Sequence, residues 1–206
     1  MRILLIGAGG VGGAFTAIAA RRDFFETMVV ADYDLARAEK AAVADDRYLA
    51  AQIDASDAGA VEALCRDHGV THVMNAVDPV FNMPIFDGAF AAGADYVDMA
   101  MSLSKPHPDA PYSKCGVKLG DEQFAKAGEW ESAGRLALVG MGVEPGLSDV
   151  FARYAADHLF SDIDELGTRD GANLVVTDDD GNEIFAPSFS MWTTIEECLN
   201  PPVIWE

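Results

Sequence analysis

Residues 2–13 read Arg-Ile-Leu-Leu-Ile-Gly-Ala-Gly-Gly-Val-Gly-Gly, and no other stretch constrains the fold as strongly. A short apolar run, Ile3 to Ile6, ends on Gly7-x-Gly9-x-x-Gly12. A helix-like segment follows, with Val11, Ala14, Phe15, Ile18 and Ala19 expected on one face. This is the strand–turn–helix opening of a βαβ unit that binds a dinucleotide. Gly7 serves the tight turn, Gly9 lets the backbone approach a pyrophosphate, and Gly12 lets the helix pack closely on the strand. The helix N-terminus then offers N–H groups and a positive dipole end to the phosphates.

A glycine pattern alone would also fit a turn that only packs a helix on a sheet. The context weighs against that. A second apolar run, Met28 to Ala31, ends on Asp32, 20 residues past Gly12. There a carboxylate reaches the ribose hydroxyls of the adenosine half. An acid in that place repels a 2′-phosphate, so NAD is favoured over NADP. Arg37, a few residues on, keeps NADP open.

Apolar runs and helical patterns alternate to residue 160. Strands are expected near 2–6, 28–32, 48–53, 72–77, 95–99 and 136–140, and helices near 11–22, 34–44, 57–68, 83–92, 121–133 and 147–160. Such alternation implies parallel strands with right-handed crossovers. The chain therefore reads as α/β, a doubly wound parallel Rossmann sheet followed by the start of a smaller α+β substrate domain. The first unit spans 1–146 and the second 147–206. Asp57 or Ser56 could cap the third helix, and Gly93 could end the fourth. Residues 101–120, with Pro106, Pro108 and Pro111, read as a long loop. Beyond 160, Ile163–Thr168, Ala172–Thr177 and Glu183–Ala186 look like short strands, and Asp178 to Asn182 like a hairpin turn. With Gly181 as the sixth position of a calcium loop, the first and twelfth would be Val176 and Pro187, which supply no side-chain ligand.

Composition narrows the partners. The chain carries 34 acidic and 14 basic residues, a formal charge of -20, which argues against nucleic acid and anionic membrane surfaces. No run is long enough to span a bilayer. Cys65, Cys115 and Cys198 lack metal-ligand spacing and read as reduced thiols of a cytoplasmic protein.

In an open doubly wound sheet, ligands sit beyond the carboxyl ends of the strands. The polar and glycine-rich strand ends are Gly7 to Gly12, Asp32, Asp54, Asn75 to Pro79, Asp98 to Ala100, and Gly140 to Gly146. Asp54 could equally be a helix-start acid. Asn75 suits tethering a loop better than touching a ligand. Asp98 could cap its strand or lie near the nicotinamide.

Gly7-Ala8-Gly9-Gly10-Val11-Gly12, Asn75-Ala76-Val77, Tyr96-Val97-Asp98 and Glu144-Pro145-Gly146-Leu147-Ser148-Asp149 together resemble the saccharopine dehydrogenase family. Phe189 to Thr194 is similar to the start of that family's substrate domain. The resemblance implies NAD or NADP as cofactor, with Gly7, Gly9, Gly10, Val11, Gly12, Asp32, Asp54, Asn75 and Ala76 along the cofactor groove. Val77, Asp98, Met99 and the turn Val143-Glu144-Pro145 would line its nicotinamide end, and Ala100 and Met101 would face the substrate. It further implies a homodimer and hydride transfer at the carbon of an amino-acid-derived secondary amine, saccharopine-like or polyamine-related. Family members run much longer, so the chain reads as an N-terminal portion. A dinucleotide-binding protein without turnover is the reading from another class.

Such substrates carry carboxylates. Beyond residue 136 the only Lys or Arg residues are Arg153 and Arg169, and Arg169 is the candidate carboxylate clamp, weighed against a surface arginine at a strand end. No catalytic acid–base stands out. Asp98 and His107, the histidine of the long loop, are the weak candidates.

Overall fold

In the computed structural model, residues 1–169, 175–185, 195 and 199 are described. The elements run β1 (Arg2–Ile6), α1 (Gly10–Ala19), β2 (Thr27–Asp32), α2 (Leu35–Ala42), β3 (Tyr48–Gln52), α3 (Ala58–Asp67) and β4 (His72–Asn75). A short 3-10 turn, Pro79–Phe81, precedes α4 (Asn82–Ala92) and β5 (Asp95–Asp98). Then come β6 (Lys105–Pro106), β7 (Cys115–Val117), α5 (Asp121–Phe124), α6 (Ala127–Ser132), β8 (Ala137–Leu138), α7 (Leu147–His158), β9 (Val176–Thr177) and β10 (Glu183–Ile184).

Six strands form one sheet in the order β3-β2-β1-β4-β5-β8, and every pairing is parallel. β1 sits at the centre, with Leu4 opposite Val29 of β2 and Val73 of β4. The expected doubly wound Rossmann sheet is therefore the observed one. Its central strand reads as an unbroken apolar run because both faces are covered. Leu4 and Ile6 join Val29, Ala31, Val61, Val73, Ile85 and Phe86 on one side, while Ile3 and Leu5 join Phe25, Met28, Val30 and Tyr48 on the other. Each buried Val, Leu, Ile, Phe or Met side chain contributes about 1.5–3 kcal/mol by leaving water. The first of these clusters ends in an aromatic group, Trp130 against Phe86 with ring centres 4.6 Å apart and Phe86 against Tyr96 at 5.1 Å.

Local signals set the helix ends. Asp34 accepts a hydrogen bond from the Ala36 amide at 3.0 Å and starts α2. Asp57, rather than Ser56, caps α3 through the Gly59 and Ala60 amides at 2.9 and 3.1 Å. Gly93, at φ 74°, ends α4 as expected. Cys65 is buried, and desolvation pushes its thiol up to about 12, which keeps it protonated and unreactive.

Several expectations need correction. The buried residues of α1 are Gly12, Thr16 and Ala19, while Val11 and Ile18 are about half exposed. Thr16 can face the core because its hydroxyl donates to the Gly13 carbonyl at 2.9 Å. The helix expected over 121–133 is broken at Ala125–Lys126 into α5 and α6. The long loop 101–120 contains a small antiparallel hairpin, β6 with β7. The strand expected near 136–140 ends at Leu138, because the Gly140 amide turns to a side chain of β5 instead of the ladder. Ile163–Thr168 forms no strand: the segment is exposed, holds Asp164, Glu165 and Gly167, and meets no ladder partner among the described residues. The expected strands at 172–177 and 183–186 contract to β9 and β10, with residues 172–174 and Ala186 outside the described residues. Between them the hairpin turn is as read, with Asp178 accepting from the Asp180 and Asn182 amides. Phe189 to Thr194 and Cys198 also lie outside the described residues.

Candidate cofactor site

Parallel pairing brings all six strand exits to one edge of the sheet. In spatial order they are Asp54 beyond β3, Asp32 at the end of β2, Gly7–Gly12 after β1, Asn75–Val77 after β4, Asp98–Met101 after β5, and Gly140–Gly146 after β8. The order reverses at β1, whose neighbours are β2 and β4. That switch point is where a dinucleotide lies across a doubly wound sheet.

The three fingerprint glycines have different reasons to be small. Gly7 has φ 102°, and a Cβ there would fall 2.6 Å from the Ala76 carbonyl oxygen. A Cβ on Gly12 would fall 1.8 Å from the Gly7 carbonyl oxygen. The turn cannot close with any side chain at either place. A Cβ on Gly9 would meet nothing within 4 Å, and its φ of -76° is open to any residue. The fold therefore demands Gly7 and Gly12 but not Gly9. Gly9 is exposed and begins α1, whose first turn has no acidic residue and no side-chain cap. An anion fits against those first amides.

Asp32 is tied to this turn. One carboxylate oxygen accepts from the Ala8 amide at 2.8 Å and the other from the Asp34 amide at 3.0 Å. The side chain is thereby held where β1 and β2 end, beside Gly9. An open groove of about 500 Å³ adjoins it, lined by Ala8, Gly9, Gly13, Thr16 and, from α2, Arg37 and Lys40. Lys40 was not legible as a site residue, because only the packing of α2 beside α1 turns it toward the glycine turn.

Asn75 tethers. Its Oδ1 accepts from the Val77 amide at 3.1 Å, and its Nδ2 donates to Asn82 Oδ1 at 2.7 Å and to the Tyr96 hydroxyl at 3.0 Å. Asp54 holds its own helix start, accepting from the Ser56 amide and hydroxyl at 2.9 and 2.6 Å. Asp98 is buried, and both oxygens are engaged: one accepts from the Gly140 amide at 2.7 Å, the other from Gln123 Nε2 at 2.7 Å. Burial pushes its carboxyl above the ordinary aspartate range, and the bonds from Gln123, Gly140 and Tyr96 oppose that shift. With only donors around it, the group is built to be held, and the expectation of an acid–base role for Asp98 finds no open face. Gln123 and Asn82 were missed by sequence reasoning; nothing in a polar side chain's position on a short helix announces such a partner.

Met99, Ala100 and Met101 are half-buried, and Val143 and Glu144 are exposed at the far end of the same edge. The Glu144–Pro145 peptide is cis. His107 lies at the turn end of the β6–β7 hairpin, its Nδ1 accepting from the Asp109 amide at 3.2 Å, and so faces its own loop. Arg169 is exposed, without the strand that was expected to carry it.

These features define a dinucleotide-binding Rossmann domain. The sequence pattern of the saccharopine dehydrogenase NADP binding domain matches residues 3–138, and the chain belongs to that family. It is 29% identical over 219 aligned positions to a carboxynorspermidine synthase of Vibrio alginolyticus, covering 100% of this chain and 50% of the relative. It is 28% identical over 171 positions to a carboxyaminopropylagmatine dehydrogenase of Synechocystis, covering 82% and 41%. The chain thus spans about half the length of the curated relatives it matches, or less. Among solved structures, saccharopine dehydrogenase (L-Glu forming) of Saccharomyces cerevisiae shares the fold, with a TM-score of 0.57 and 20% identity over 77% of this chain and 31% of that one. The cofactor expected from the glycine turn, NAD or NADP, agrees with the family. No helix among the described residues is long and apolar enough to cross a membrane.

Proposed function

We propose that this chain is the cofactor-binding part of an oxidoreductase that moves hydride at a carbon bonded to nitrogen, in a secondary amine derived from an amino acid or a polyamine. The observation that carries it is the Gly9 face, open for no reason of packing, between Asp32 and the start of α1 at the switch point. A nicotinamide held there would supply the hydride acceptor; loss of hydride from the H–C–N carbon would leave a C=N bond and one proton, and water would then divide the product into an amine and a carbonyl compound. The chain's own part is to hold pyrophosphate on the α1 amides, accept ribose hydroxyls on Asp32, and present the exits of β4, β5 and β8 to the reacting end. Residues from 147 onward begin the unit that brings the substrate.

Two readings of the substrate compete. Saccharopine carries three carboxylates, and Arg153 and Arg169 are the only Lys or Arg residues beyond 136 to meet them. The relatives named above are a carboxynorspermidine synthase and a carboxyaminopropylagmatine dehydrogenase, which favours a carboxylated polyamine. Arg37 and Lys40, which line the groove at the glycine turn, supply the positive charge a 2′-phosphate needs, so the choice between NAD and NADP turns on whether they or Asp32 dominate. Parallel titration with NADH and NADPH is the test. Micromolar binding of either supports the reading, and binding of neither overturns it. Turnover of carboxynorspermidine but not saccharopine by the full-length protein would select the polyamine reading.

A further inference from the structure

The exits of β5 and β8 are joined by a buried pair of side chains that no motif predicts. Asp98 fixes the β8 exit twice, its carboxylate on the Gly140 amide and its own carbonyl accepting from the Met141 amide at 2.9 Å. Its second oxygen holds Gln123 Nε2, and Gln123 Oε1 accepts from the Ser102 amide at 2.7 Å. The Ser102 carbonyl in turn accepts from the Gly120 amide at 2.8 Å. Gly142 lies so near the β5 exit that a Cβ on it would come 2.5 Å from the Met99 carbonyl oxygen. The Gly142 and Val143 carbonyls then take the Leu147 and Ser148 amides, at 2.9 and 3.0 Å, which starts α7. One carboxylate and one amide thereby set three loops against one another: 99–102, 120–123 and 140–146.

A group whose only task was stability would not be built this way. Taking a carboxylate out of water costs several kcal/mol, and apolar side chains of similar volume usually serve stability as well or better. What a fully bonded polar pair supplies is geometry, since each bond has a direction that packing lacks. We propose that Asp98 and Gln123 are positioning residues that hold Met99–Met101 and Val143–Pro145 at the spacing the nicotinamide half of the cofactor requires. The proposal rests on the cofactor reading above. The adenosine half, at β1 and β2, lies across the switch point and makes no bond to this pair.

The test uses the 206-residue chain with Asp98→Asn, Gln123→Met, and the exchange D98N/Q123E. The exchange keeps the chain of bonds that runs from the Gly140 amide to the Ser102 amide. Its new amide would accept from Gly140 and donate to the new carboxylate, which would still accept from Ser102. Binding of ADP, NADH and NADPH is measured by calorimetry, and the emission of the bound reduced nicotinamide is recorded alongside. Each single variant is expected to bind the preferred reduced cofactor about tenfold more weakly, the worth of one hydrogen bond to a charged group. Its bound emission should shift toward that of free cofactor, while ADP binding stays within about twofold. The exchange should restore both readouts. If Asp98→Asn does not fold, Gln123→Met carries the same comparison without altering β5. Equal losses for ADP and reduced cofactor, or single variants identical to wild type, overturn the positioning role and leave the cofactor site standing. A wild-type chain that binds neither ADP nor either reduced cofactor overturns the cofactor reading as well.

Discussion

Gly9 and Gly12 stand three residues apart and are small for opposite reasons. Gly12 touches the backbone of its own turn, so a methyl group there must push β1 and α1 apart. Gly12→Ala is expected to cost about 2 kcal/mol or more by overpacking, measured by denaturant melting. Gly9 faces open space, so Gly9→Ala should stay within about 1 kcal/mol of wild-type stability, the small loss coming from its place at the start of α1. Its cost should fall on binding instead, with reduced cofactor held at least about tenfold more weakly. A Gly9→Ala chain that binds as wild type does would mean that nothing approaches that face. The glycine spacing was legible in the sequence, but the division of labour was not, because it depends on where the Ala76 and Gly7 carbonyls end up.

At the scale of elements, the strands were the most legible part. β1, β2 and β3 fall within a residue of their expected bounds; for β1 and β2 the reason is that apolar runs buried on two faces leave little freedom. Helix starts followed from local chemistry. The Asp57 carboxylate accepts from two amides of α3, so Asp57→Ala should cost about 1 kcal/mol in a thermal melt and leave cofactor binding unchanged. A loss far outside that range would show that the cap also supports the rim. The elements that were misjudged lie where regular backbone pairing is interrupted. β8 stops early because Asp98 claims Gly140, and the helix over 121–133 breaks where the Lys126 amide turns to the Gln123 carbonyl, three residues back. The segment 163–168, where Ile163 and Leu166 are interrupted by Asp164, Glu165 and Gly167, forms no strand and meets no ladder partner among the described residues. Helix α7 has no buried residue, and Leu147, Phe151 and Tyr154 leave its apolar stripe in solvent.

For the whole molecule the dominant feature is charge. A formal -20 on 206 residues makes the folded state repel itself. Raising the salt from about 0.02 to 0.2 M shortens the screening length severalfold and should raise the stability by about 1 kcal/mol, seen as a higher Tm. The same screening should not weaken the binding of an anionic cofactor, since here the general field opposes binding and only the α1 amides, Arg37 and Lys40 favour it. A fall in both with added salt would place the balance in local ion pairs instead.

By itself the sequence determined the parallel Rossmann sheet, the cofactor edge and the place of Asp32, because each depends on local spacing: alternation of elements, glycines at fixed intervals, an acid at the end of the second strand. Tertiary structure alone decided which of those residues are available to a ligand. Asp98 reads as a rim residue, yet its carboxylate is spent on Gln123 and Gly140, 25 and 42 positions away in the chain. Lys40 and Gln123 gained their places only when α2 and α5 packed. Hydrogen-bond partners separated by that much chain are set by how the layers stack, and no spacing rule along one strand or helix contains that information.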